Sequence, residues 1–98
     1  MKTKTFAPSG VDTVQLAATA ASASVSLDPN ASVVRVVNTG PNIAYLQFGG
    51  TGVAATTAKM PIVVGAVELF TKGMQPKVAA ICDTGNTATL FFTTGEGI

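Results

Sequence analysis

Apolar and polar residues alternate in short runs along this chain, and clusters of glycine, proline and asparagine separate the runs. In residues 21–27, Ser22, Ser24 and Ser26 alternate with Ala23, Val25 and Leu27, a period of two that predicts a half-buried strand. Asp28, Pro29 and Asn30 supply the turn that follows. The stretch SVVRVVNTGPNIAYLQFGG over residues 32–50 sets two β-branched or aromatic segments, residues 32–38 and 43–48, around the turn residues Asn38, Thr39, Gly40, Pro41 and Asn42. It reads as a β-hairpin. In its second segment Ala44, Leu46 and Phe48 share one face, and Ile43, Tyr45 and Gln47 share the other.

Residues 61–64 and 66–70 are two short extended pieces separated by Gly65, and residues 72–76 form another polar turn. Residues 78–82 and 87–93 predict a second hairpin across Asp83, Thr84, Gly85 and Asn86, with Ala88, Leu90 and Phe92 on one face and Phe91 on the opposite one. Seven or eight strands at this spacing predict an all-β fold, a single antiparallel β-sandwich of jelly-roll or immunoglobulin-like topology, in preference to an open barrel. Helix has one opening, the alanine-rich residues 14–23, and Thr and Ser weaken it. Residues 1–10 have no strand partner in the pattern and are expected to form an N-terminal arm, leaving residues 11–98 as one domain.

A chain of 98 residues buries roughly two-thirds of its unfolded surface as one domain. Charged residues make up 11% of it and apolar ones 47%, against about 25% charged in ordinary soluble domains. So neutral an exterior points to cover by copies of the same chain or by a partner. If Ala44, Leu46 and Phe48 fill the core, Ile43 and Tyr45 point outward, as Phe91 does in the last strand. With Lys2, Lys4 and Phe6 of the arm, these are the candidate partner-binding residues. A homo-oligomer follows, with a trimer favoured over a dimer.

Six basic and five acidic residues give a net charge of +1 spread along the chain, so no footprint for nucleic acid or an anionic membrane is expected. Gly40, Pro41, Asn42, Gly49, Gly50 and Gly52 break the uncharged residues 36–58, and no transmembrane helix is expected there. Residues 14–27 are interrupted by Ser and Thr and preceded by Asp12, unlike a signal-peptide core, so synthesis in the cytoplasm is expected. Cys82 has no possible intrachain partner and reads as a small buried hydrophobe.

The chain has no histidine, no tryptophan and one cysteine, which removes most of the inventory that catalysis uses. Asp83, Thr84 and Gly85 spell the triplet in which aspartic proteases pair two carboxylates across a dimer axis. That family carries it early in the chain, with flaps after it, whereas here only 13 residues follow Gly85. A turn in which Asp83 caps and Gly85 takes a positive φ explains the same residues. The GGTG of residues 49–52 lacks the Lys-Ser or Lys-Thr of a phosphate loop. Asp12, Asp28, Glu68, Asp83 and Glu96 are too dispersed for a carboxylate pair or a calcium loop. No catalytic, cofactor-binding or metal-binding residue is expected, and the protein reads as a non-enzyme.

The segments VVRVVNTGPNIAYLQFG, MPIVVGAVELF, VAAI and TATLFFTTGEG together resemble a group of small proteins encoded in the structural-gene modules of tailed bacteriophages. The likeness covers roughly residues 20–98, and its most specific elements are the N-T-G-x-N turn followed by A-Y-L-Q-F-G and the closing T-x-G-E-G. The resemblance implies a virion structural protein, foremost a capsid decoration or cement protein on the outer shell. Its partner would be the major capsid protein or another virion protein. The alternative it implies is a tail- or fibre-associated module for host recognition or carbohydrate binding, against which stand the absence of Trp and the single Tyr. It carries over no catalytic residue.

Overall fold

The computed structural model describes residues 7–8 and 13–96. All its regular structure is β: β1 (Ala7–Pro8), β2 (Val14–Ala18), β3 (Ala23–Ser26), β4 (Val33–Pro41), β5 (Ala44–Gly49), β6 (Met60–Ile62), β7 (Val67–Thr71), β8 (Lys77–Cys82) and β9 (Ala88–Glu96). No helix occurs among the described residues. Residues 14–18, where alanine left a helix open, form β2, because Leu16 and Ala18 face inward at strand spacing. Nine strands form among the described residues where alternation predicts seven or eight. The strands not read from the pattern are β2 and β1, and β1 lies inside the segment expected to be an arm, where it pairs Ala7 with Glu96 and Pro8 with Gly95.

The strands divide into two antiparallel sheets. In sheet 1, β1 and β2 follow one another along one edge of β9, and β4 and β7 succeed on its other side. Sheet 2 has the order β3-β8-β5-β6. Both sheets turn their apolar alternates to one core: Leu16, Val34, Val36, Leu90 and Phe92 from sheet 1, and Ala44, Leu46, Ile62, Val78 and Ala80 from sheet 2. Full burial of each larger side chain stabilises by roughly 1.5 to 3 kcal/mol. Phe48 of sheet 2 and Phe70 of sheet 1 meet with ring centroids 5.9 Å apart, within the range of favourable aromatic pairs.

Neither expected hairpin forms. β4 pairs with β7 and β9, while β5 pairs with β6 and β8, so the turn between β4 and β5 carries the chain from one sheet to the other. β8 and β9 likewise lie in different sheets. The cause is that alternation reports which side of a strand is apolar and nothing more. Two strands that face each other across a core have the same pattern as two that pair edge to edge.

Asn38 explains why the first of these turns leaves its sheet. Its side chain sits on the inward face in line with Val34 and Val36 and is fully buried. There Nδ2 donates to Asn42 O at 3.0 Å and Ile62 O at 2.9 Å, and Oδ1 accepts from Gly40 N at 2.8 Å. One side chain therefore holds the end of β4, the approach to β5 and the end of β6. Gly40, with φ 92°, lies against Val64, and a Cβ there would come within 3.0 Å of Val64 Cγ1. At the far end of the sheets Lys72 is also buried, with Nζ donating to Gln75 O at 3.1 Å. Its backbone N donates to Ser32 O at 2.8 Å, and Ser32 donates from N and Oγ to the carboxylate of Glu96. Burial lowers the pKa of Lys72, and the carboxylates of Asp28 and Glu96 oppose that shift.

Candidate partner surface

Strand parity fixes what each sheet shows to the outside. On sheet 2, Tyr45 stands in register with Ile81 on one side and Pro61 on the other, and its hydroxyl reaches Asp83 Oδ2 at 3.4 Å. The carboxylate of Asp83 raises the pKa of the phenol, and desolvation adds to it. Asp83 opens the turn from β8 to β9, in which Asn86 N donates to Asp83 O at 2.9 Å and Gly85 has φ 82°. That sign of φ is what a type II turn requires at its third residue. The Asp-Thr-Gly triplet is thus a turn between sheets, with its carboxylate beside Tyr45.

On sheet 1, Phe91 lies half-buried in a row that runs Val67, Val37, Phe91, Gln15 across four strands. The next row sets Leu69 beside Arg35 and Arg35 beside Thr93. The structure therefore separates the expected partner-binding residues. Ile43 and Tyr45 belong to sheet 2, Phe91 faces outward from sheet 1, and the core lies between them. Lys2, Lys4 and Phe6 lie outside the described residues.

Apart from Met74 in the turn after β7, the exposed large apolar residues gather elsewhere, where the two sheets are joined edge to edge. β6 is an edge of sheet 2, β7 is an edge of sheet 1, and residues 63–66 connect them. Val63 is 53% exposed, Val67 52%, Val64 48% and Leu69 42%, well above the exposure of Tyr45 or Phe91, which are only part-exposed. Ile43 is exposed and adjoins this wall, because Ala44 is in register with Ile62. Scattered exposed hydrophobics are ordinary, but here four of them fall within seven residues along the chain that joins the two edge strands. The sequence carried one signal of it. The run PIVVGAVELF breaks the period of two, placing apolar residues on both faces of the chain, as a segment covered on one side by its own core and on the other by something else would require.

Little else on the surface offers chemistry. Among the described residues no three of His, Cys, Asp and Glu come together to hold a metal ion, and no pocket opens. Cys82 is buried, its Sγ near Ala18 O, and burial raises its pKa. Comparison with protein-family models, with curated proteins and with solved structures finds no match for this chain.

Proposed function

We propose that this protein is a non-enzymatic virion structural protein of a tailed bacteriophage, a homo-oligomeric decoration or cement protein on the capsid exterior. The observation that carries the reading is the apolar wall of Val63, Val64, Val67 and Leu69 on a small body that is otherwise low in charge. A protein that acts by covering and bridging other subunits needs such a surface and needs no cleft. The strand order supports a finer reading of the fold as a jelly-roll sandwich. Sheet 1 runs β2-β9-β4-β7 and sheet 2 runs β3-β8-β5-β6, so successive strands pass back and forth between sheets as in the double Greek keys common among viral capsid domains. Fold alone does not assign function, and the likeness of residues 20–98 to phage structural proteins supplies the other half of the argument.

In this reading the mechanism is additive. Each copy contributes a modest contact to neighbouring capsomers, and symmetry multiplies it over the shell. Lys2, Lys4 and Phe6 precede β1 in the chain and combine charge with an aromatic anchor suited to an adjacent subunit. The test adds purified protein, full-length or lacking residues 1–6, to particles that lack it, and measures occupancy and resistance to heat. Full-length protein should occupy the shell and raise its heat resistance, and the truncated form should bind more weakly. Binding without any gain in heat resistance would favour the host-recognition alternative, and no binding would remove the shell as partner.

A further inference from the structure

Four edges are open in the two sheets of the described residues, and they are not alike. β6 carries Pro61, β1 carries Pro8, and β3 shows Ser24 and Ser26 to the outside, all features that discourage strand addition. β2 continues the β1 edge and presents Gln15 and Ala17 on its outer face. β7 has neither proline nor bulge, and its outer face carries Val67, Leu69 and Thr71.

The hydrogen bonds decide which groups of β7 are free to pair. Asn38 N donates to Ala66 O and Lys72 N donates to Ser32 O. In the antiparallel register of β4 with β7 these are bonded pairs, so the alternating bonded positions between them are Glu68 and Phe70. Val67, Leu69 and Thr71 therefore turn N–H and C=O to the open edge. They are the same residues whose side chains lie on the outer face.

We infer that β7 pairs with β7 of a second copy, antiparallel about a two-fold axis through Leu69, so that two copies of sheet 1 become one continuous sheet. This register sets Leu69 against Leu69 of the second copy and Val67 against its Thr71, giving three facing pairs that each exchange two hydrogen bonds. Sliding by one pair toward Glu68 loses a pair and places Glu68 opposite its own copy, a like-charge contact that is unfavourable. Sliding the other way also loses a pair. The same register carries Val63 and Val64 of each copy past the end of the paired strands toward residues 74–75 of the second copy, where Met74 is 76% exposed, and this adds apolar area to a strand contact that alone is short of the roughly 800 Å² per partner of a standard interface. The closed dimer replaces the trimer that composition favoured, and it specifies the homo-oligomer of the proposed function without depending on the shell.

Sedimentation of the whole protein at about 50 μM, a concentration that populates even micromolar complexes, should give a dimer. Leu69→Pro removes an N–H that its own sheet does not use and should weaken the dimer roughly 10- to 100-fold. Leu69→Cys treated with a short bismaleimide should crosslink to a dimer, whereas Val67→Cys should not. The two copies of residue 67 would stand four residues apart along the strands, about 13 Å, and buried Cys82 leaves the background unreactive. A monomer, a trimer, or crosslinking through Val67→Cys in place of Leu69→Cys would overturn the inference. Shell occupancy is measured separately, so a dimer that fails to bind particles would reject only the proposed function.

Discussion

Replacing Asn38 with Asp tests the turn that carries the chain between sheets, because it changes one atom where the side chain has no access to water. Oδ1 still accepts from Gly40 N, but the position of Nδ2 becomes an oxygen facing Asn42 O and Ile62 O. An ionised carboxylate there is both desolvated and opposed by two carbonyl dipoles, so the folded variant holds the new carboxyl group in its protonated form. Protonated, it donates one hydrogen bond where Asn donated two, a loss of about 1 kcal/mol. At pH 7 the group must also be kept some three units above the unfolded pKa of about 3.9, at about 1.4 kcal/mol per unit, or roughly 4 kcal/mol more. The folded pKa is raised, so stability is fully present below the unfolded pKa and falls as pH rises toward the folded one. Urea denaturation of Asn38→Asp from pH 4 to pH 7 should thus show a deficit growing from about 1 to about 5 kcal/mol against the wild type. A deficit that stays constant over that range would mean that the side chain is solvated and that these three bonds do not hold the turn.

Two other substitutions read single groups. Asp83→Asn should lower the pKa of Tyr45 toward its ordinary 10.0, and since the chain has one tyrosine, tyrosinate absorbance reports it directly; an unchanged titration would contradict the Tyr45–Asp83 contact. Cys82→Ala should flatten the loss of stability at alkaline pH. The folded thiol has its pKa raised above 9.0, so its contribution is complete below pH 9 and declines above it, and parallel denaturation midpoints for the two proteins from pH 8 to pH 10 would exclude that contribution.

The inward faces were legible from alternation alone. Ala44, Leu46 and Phe48, and then Ala88, Leu90 and Phe92, point to the core as their spacing requires, and Ile43, Tyr45 and Phe91 point away from it. Sheet membership was not legible, because it depends on contacts between distant residues such as Val36 and Phe92 that leave no local mark. The exposed apolar surface was half legible. Outward-pointing aromatics could be read from parity, but the stronger wall of Val63 to Leu69 came from position, as both of its strands are edges. Lys72 gave no sign of burial, since a lysine in a Gly, Met, Gln and Pro turn ordinarily faces water. Only the fold brings backbone carbonyls to its ammonium group.

From β2 onward, β5 and β6 are the only consecutive strands among the described residues that share a sheet, and this has a consequence for how the chain reaches its native state. A fold made of adjacent hairpins collects stabilising contacts as soon as each turn closes. Here nearly every strand must wait for a partner far along the sequence, and loop-closure entropy is spent before any pairing offsets it. Refolding should fall in the millisecond-to-second range characteristic of non-local β proteins. During that interval β7 and its apolar neighbours are exposed on partly assembled sheets with few charges nearby to keep chains apart. Yield on refolding should therefore drop steeply with protein concentration, and an added charge at Leu69 should restore it even while the native protein gains no stability.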